Sequence, residues 1–180
     1  MHEAALAGGR TLDDALGVVS TKPIAVLDAA LLANSDSAVI MKFDTLVPVG
    51  GPQIGSAGEV RGIASGGLPW ALEAGSGSLS CEGHLIVRIR GLVLAADPLV
   101  PASMQRRNPF PAFRVVVSCL RPGQNGSAVV ANVSTGDFEA SVDGNSDIDA
   151  RVSLPQPCTA PIVLVTGPSG TSGWLAVTGR

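Results

Sequence analysis

The chain has 180 residues, of which 46% are hydrophobic and only 15% charged, and its formal net charge is −3. This length and hydrophobic content are typical of a folded domain with a buried core and argue against a disordered chain. The weak negative charge and the 3% aromatic content argue against nucleic-acid binding, which needs a basic surface and aromatic side chains for stacking.

The sequence divides into two parts of different character. Residues 1–36 are predicted to form a short helical or irregular N-terminal extension, in which Thr11 and Asp14 of "TLDD" approximate a helix-capping box. The apolar segment "PIAVLDAALLA" (residues 23–33) is rich in helix formers and begins with a proline, which suits a helix start. Residues 37–180 are predicted to form a single β-sandwich domain.

No part of the sequence predicts a transmembrane helix or a readable export signal. The segment 23–33 is about half as long as the ~20 residues that a membrane-spanning helix needs, and it carries Asp28. The first residues contain Glu3, Asp13 and Asp14 at positions where a secretory signal peptide has basic and then apolar residues.

The second part of the chain is dominated by predicted β-strands. Apolar, β-branched segments are separated by Gly, Pro and Asn turn residues. In chain order they are AVIMKFDTLVPV (38–49), HLIVRIRGLVLA (84–95), FRVVVSCL (113–120), SAVVANVST (127–135), SDIDARVSL (146–154), IVLVTG (162–167) and GWLAVTG (173–179). Short strands with this punctuation and no internal repeat predict an all-β fold, namely an antiparallel β-sandwich of about eight strands.

The alternation of side chains predicts which face of each strand is buried. In HLIVRIR, Leu85, Val87 and Ile89 fall on one face, whereas Arg88 and Arg90 fall on the other. The same period places the apolar residues of two further strands inward: Phe113, Val115, Val117 and Cys119 in one, and Ile148, Ala150, Val152 and Leu154 in the other. The unbroken apolar run at 162–167 predicts a strand that is covered on both faces.

A cluster of oxygen-bearing side chains is the first candidate site. The stretch DGNSDIDARVSL carries Asp143, Asn145, Asp147 and Asp149 at every second position. An EF-hand would need glycine at its sixth position and glutamate at its twelfth, where this stretch has isoleucine and leucine. Alternation along a strand explains the spacing equally well. A calcium site of loop carboxylates, with Asp137 or Glu139 as further ligands, is the remaining metal hypothesis.

The sequence offers little support for catalysis. The chain has only two histidines, His2 and His84, and no G-x-S-x-G motif is present. A Ser-His-Asp hydrolase would have to use His84, which is more simply interpreted as a residue at the edge of a strand. The two tryptophans, Trp70 and Trp174, are expected to pack in the core or at its rim.

The three cysteines bear on the redox compartment. A bridge between Cys119 and Cys158 is the favoured interpretation, which leaves Cys81 as the odd cysteine. Three separate thiols in a reducing compartment are the alternative. No C-x-x-C pair is present, so the sequence gives no zinc motif.

Several motifs together resemble a group of exported bacterial proteins whose activity is uncharacterised. They are GGLPW (66–70), GLVLA (91–95), FRVVVSCL (113–120), NVST (132–135), LPQPCTAPIVLVT (154–166) and the ending WLAVTG. The resemblance covers roughly residue 39 to the C-terminus. It implies export and a cysteine pair at the positions of Cys119 and Cys158, and it implies no catalytic residue, substrate or cofactor.

These features favour a non-enzymatic, extracellular structural or interaction module, secreted or at the cell surface. Self-assembly is one version of this role, in which residues 23–33 pack against a neighbouring copy. The expected partner is therefore a protein or another copy of the chain. The alternative is a ligand-binding β-sandwich for calcium or a glycan, and a hydrolase is the least favoured interpretation.

Overall fold

The computed structural model describes residues 38–170 and 172–178. The predicted N-terminal extension, residues 1–36, therefore lies outside the described residues. The described part is all-β, with no α-helix. In it, turns and four single-turn 3-10 helices (Gly51–Gln53, Gly55–Gly58, Gln124–Gly126 and Pro168–Gly170) join the strands. No helix in the described ranges is long and apolar enough to cross a membrane.

The described chain contains eleven strands. They are β1 (Val39–Phe43), β2 (Leu46–Pro48), β3 (Trp70–Ala71), β4 (Ala74–Ser80), β5 (His84–Arg90), β6 (Val93–Leu94), β7 (Ala112–Pro122), β8 (Ala128–Glu139), β9 (Ser146–Arg151), β10 (Thr159–Thr166) and β11 (Trp174–Thr178). They form a four-stranded sheet in the order β1-β4-β5-β9, a five-stranded sheet in the order β2-β11-β10-β7-β8, and the pair β3-β6. Every pairing between these strands is antiparallel.

One hydrophobic core is shared by the two large sheets. The side chains of Leu85, Val87 and Ile89 in β5 and of Phe113 and others in β7 are fully buried in the same cluster. The predicted alternation is thereby confirmed in β5, whereas in β7 the predicted inward residues are buried but Val116 and Ser118 between them are buried as well. Because both sheets contribute to one cluster, burial of apolar area against each other is what holds them together.

Strand β4 was not predicted, because its sequence AGSGSLS has low β-propensity. Two of its glycines are required because side chains of neighbouring strands pack too closely against them to leave room for a Cβ atom. A Cβ atom on Gly75 would lie 2.6 Å from Cδ1 of Leu46, and one on Gly77 would lie 2.5 Å from Cζ of Phe43. The large side chains of β1 and of β2 thus occupy the space that β4 leaves empty.

The segment 38–49 was predicted as one strand but is divided between two sheets. β1 pairs with β4 and β2 pairs with β11, with the break at Asp44 and Thr45. The chain crosses here from one sheet to the other, which the apolar pattern does not reveal because both halves carry inward-facing residues.

Residues 50–67 cover the outer face of the five-stranded sheet. Nε1 of Trp174 donates a 2.7 Å hydrogen bond to the carbonyl of Gly58. Arg61 donates to the carbonyls of Ser118 at 2.7 Å and Ala160 at 2.8 Å. This cover explains why consecutive residues of β10 (Val163, Leu164 and Val165) are all fully buried, as the apolar run predicted.

Candidate functional site

The predicted acidic cluster is divided between a turn and the outer face of β9. Asp147 and Asp149 point to the same face as the polar side chains of β5. Arg90 donates to both oxygens of Asp147, at 2.7 and 3.1 Å, and Nε2 of His84 lies 2.7 Å from Oδ1 of Asp149. Both carboxylates therefore have cationic or hydrogen-bonding partners within the sheet.

The other two members of the cluster lie in the turn before β9. Oδ1 of Asn145 accepts a 3.0 Å hydrogen bond from the main-chain N–H of Gly91, and Asp143 is exposed. The turn joins β8 to β9, which belong to different sheets. No group of three or more His, Cys, Asp or Glu side chains able to hold a metal occurs among the described residues. The calcium interpretation stays a prediction.

His84 lies at the start of β5, beside a serine. Oγ of Ser80 accepts a 3.1 Å hydrogen bond from the main-chain N–H of His84, and the imidazole bonds to Asp149 instead. A nucleophilic serine would have to bond to the ring nitrogen of its base. In residues 38–170 and 172–178 no serine or threonine hydroxyl bonds to the ring of His84.

The disulfide between Cys119 and Cys158 is present, as the sequence predicted. It joins the fully buried Cys119 of β7 to the loop that precedes β10, with a Cα–Cα distance of 5.0 Å. Cys81, in the turn after β4, takes no part in this bridge.

The exposed hydrophobic residues are concentrated at the edges of the sheets. In the described part, five of the eight large hydrophobic residues that are exposed lie on β1, β2 and β8, each of which ends a sheet: Val39, Ile40, Val47, Val129 and Val130. Edge strands usually carry charged residues or proline, which prevent pairing with other chains. β1 carries Lys42 and β2 carries Pro48, whereas residues 128–134 of β8 carry neither a charge nor a proline.

Strand β8 is the longest strand in the described part of the chain, and one side of it is open. It pairs with β7 from Ala128 to Glu139, and no second strand among residues 38–170 and 172–178 pairs with it. The register shifts at Thr135, whose hydroxyl accepts a 3.1 Å hydrogen bond from the main-chain N–H of Val115. Residues 128–134 therefore form a regular, uncharged edge of seven residues, which we call the β8 edge.

The exposed side chains of the β8 edge lie on both of its faces. Val129 pairs with Arg121 and Val130 with Leu120, and each valine is 41% exposed. Consecutive strand residues point to opposite faces, so an added strand would contact one valine on each face. Nδ2 of Asn132 donates to the carbonyl of Arg61 at 3.1 Å, which ties this edge to the covering segment 50–67.

The charged residues of β8, Asp137 and Glu139, lie beyond Thr135, and Asp137 is already paired. Asp137 accepts hydrogen bonds from the main-chain N–H of Ser169 at 3.1 Å and from Nε of Arg114 at 2.8 Å. These two donors hold the pKa of Asp137 below its ordinary value of 3.8, and the Ser169 N–H has the larger effect. This carboxylate fixes the far end of β8 to β7 and to the turn at Pro168–Gly170.

Sequence reasoning found β8 as a strand but missed its position at an edge. The local sequence gave no signal of an edge, because an uncharged segment with adjacent valines, as in AVVANVS, is more typical of a strand that is covered on both faces. The chain has no significant match to a protein family, to a curated protein or to a solved structure.

Proposed function

We propose that the protein is a non-enzymatic, extracellular interaction module that self-associates through the β8 edge. The two large sheets would act as a β-sandwich that holds β8 in an extended conformation. The observation that carries this proposal is the uncharged edge of seven residues, which pairs on its outer side with no strand in the described part of the chain and on which Val129 and Val130 are exposed.

An edge strand can bind a further strand through its main chain. Every second residue of an edge strand directs its N–H and C=O groups away from its neighbour, so the β8 edge offers a row of hydrogen-bonding groups. Strand addition supplies affinity through these main-chain bonds and specificity through side chains at alternate positions. The fixed conformation of β8, paired with β7 along its whole length, lowers the ordering cost of binding.

A second copy of the chain fits this edge better than a charged peptide would. The β8 edge carries no charge, so two copies can approach each other antiparallel without repulsion, and their aliphatic side chains can pack together. Two-fold symmetric pairs, in which the same surface is used by both copies, are the commonest protein oligomers. Pairing of only seven residues buries a small area, which suits a weak, concentration-dependent association.

The disulfide supports the extracellular part of the proposal. Disulfides persist in oxidising compartments and are rare in the cytosol of mesophiles. The Cys119–Cys158 bridge closes a loop between β7 and β10, two neighbouring strands of the sheet that carries the β8 edge.

Analytical ultracentrifugation over a wide concentration range tests the proposal. The experiment uses the Cys81→Ser variant, because this variant cannot form an intermolecular disulfide at position 81. We expect it to associate reversibly. Val130→Lys should abolish the association, because lysine on an edge strand blocks pairing. Val142→Lys is the matched control, since Val142 is 49% exposed but lies in the turn between β8 and β9. A chain that remains monomeric at every concentration, or equal loss in both variants, overturns the proposal.

A further inference from the structure

A small apolar pocket lies at the end of the molecule where β3 pairs with β6. Its volume is about 280 Å³, near the lower end of the range for small-molecule sites. Apart from Ser172, every side chain that lines it is apolar, and the principal ones are Leu68, Trp70, Leu94, Met104, Phe110 and Leu175. The lining is mainly aliphatic, and methionine adapts readily to the shape of a ligand.

The walls of this pocket are held in place by the surrounding chain. The ring of Trp70 stacks on that of Phe110, with centroids 5.8 Å apart and an interplanar angle of 9°. The side chain of the buried Asn108 holds the main chain of Phe110 in place. Its Nδ2 donates to the carbonyls of Phe110 at 2.7 Å and Ser141 at 2.9 Å, and its Oδ1 accepts from the Phe110 N–H at 2.9 Å. The pocket is therefore formed before any ligand arrives.

A second, polar pocket of about 230 Å³ adjoins the apolar one. Met104 and Pro109 line both, and Arg107 lines the second. The main chain positions Arg107 at β6, because the N–H of Leu94 donates to the Arg107 carbonyl at 3.1 Å. Arg107 is exposed, and the structure shows no ion pair between it and another described residue. Its charge is thus available to a ligand in the neighbouring apolar pocket.

We propose that these two pockets together bind a small anionic amphiphile, of the class of medium-chain alkyl carboxylates. The alkyl chain would occupy the apolar pocket between Leu68, Met104 and the Trp70–Phe110 pair. The carboxylate would lie toward Arg107, whose guanidinium matches its geometry. No residue of the β8 edge (128–134) lines either pocket, so this site is independent of self-association.

Titration with decanoate, below the concentration at which it forms micelles, tests the proposal. Binding is followed by calorimetry and by tryptophan fluorescence. Of the two tryptophans, Trp70 lines the pocket, whereas Trp174 is fully buried and does not line it. Decanol provides the same alkyl chain without the charge. We expect saturable binding of decanoate that is tighter than that of decanol.

Three variants localise the binding. Gly67→Leu should abolish it, because the exposed Gly67 lines the mouth of the apolar pocket and a Cβ there meets no atom within 4 Å, so the larger side chain obstructs entry without displacing the walls. Arg107→Gln should weaken decanoate binding about fivefold and leave decanol unchanged. Gly136→Leu, also placed in open space but on β8, should have no effect. Absence of saturable binding, binding that survives Gly67→Leu, or equal affinity for decanoate and decanol would overturn the proposal.

Discussion

Removal of the Cys119–Cys158 bridge should lower the stability of the fold by a predictable amount. The two cysteines are 39 residues apart, and the chain-entropy model gives about 4 kcal/mol for closing a loop of that length. In a domain of this size each kcal/mol corresponds to about 2–4 °C in melting temperature. The double variant Cys119→Ala/Cys158→Ala should therefore melt about 8–16 °C below the unmodified chain.

Urea unfolding of both proteins measures this difference, and Cys81→Ala provides the control for loss of a cysteine outside the bridge. We expect the double variant to unfold at a markedly lower urea concentration and the control to remain close to the unmodified chain. A difference below about 1 kcal/mol between the double variant and the unmodified chain would refute the reasoning, because the loop entropy would then not contribute as argued.

Further predictions concern packing, acid sensitivity and metal binding. Gly77→Ala should destabilise the fold by about 1–3 kcal/mol, because its Cβ would lie 2.3 Å from the Ile86 carbonyl oxygen; an unchanged urea midpoint would contradict this. Asp137→Asn should be less stable than the unmodified chain at neutral pH. Because the pKa of Asp137 is lowered from 3.8 in the folded state, its contribution is present above that value and is lost as the pH falls through the lowered pKa. The two urea midpoints should therefore converge in acid, and a constant gap would argue against this. Since Asp147 and Asp149 are already paired within the sheet, the melting temperature should be the same in excess calcium and in chelator, and a rise with calcium would revive the metal hypothesis.

Strands in which apolar and polar residues alternate were predictable from the sequence. Strand β4, whose glycines make room for side chains from other strands, was not. In β5, the spacing of Leu85, Val87 and Ile89 is enough to predict the buried face, because the side-chain period of a strand is two residues. In β4, Gly75 and Gly77 give no such signal. Their role depends on large side chains from β1 and from β2, which are distant in sequence and meet β4 only after the sheets assemble.

The candidate surfaces were less predictable than the fold. The spacing of Asp147 and Asp149 suggested metal ligands, but their partners Arg90 and His84 come from β5, some sixty residues earlier in the chain. The β8 edge depends on the order of strands in the sheet, which local sequence does not encode. The pocket beside Arg107 likewise arises where four separate segments meet, namely 66–70, 94, 104–110 and 172–175. The disulfide was predictable because Cys119 lies on the inward face at the end of a predicted strand and Cys158 lies in the loop just before another.

Hydrogen–deuterium exchange at low and high protein concentration tests the central claim most directly. If β8 pairs with a second copy, main-chain amides within residues 128–134 that point away from β7 should exchange quickly in dilute solution and slowly in concentrated solution. Amides of β5, which lies inside its sheet, should be protected equally at both concentrations. Fast exchange of residues 128–134 at high concentration, with or without association of the chain, would contradict self-association through the β8 edge.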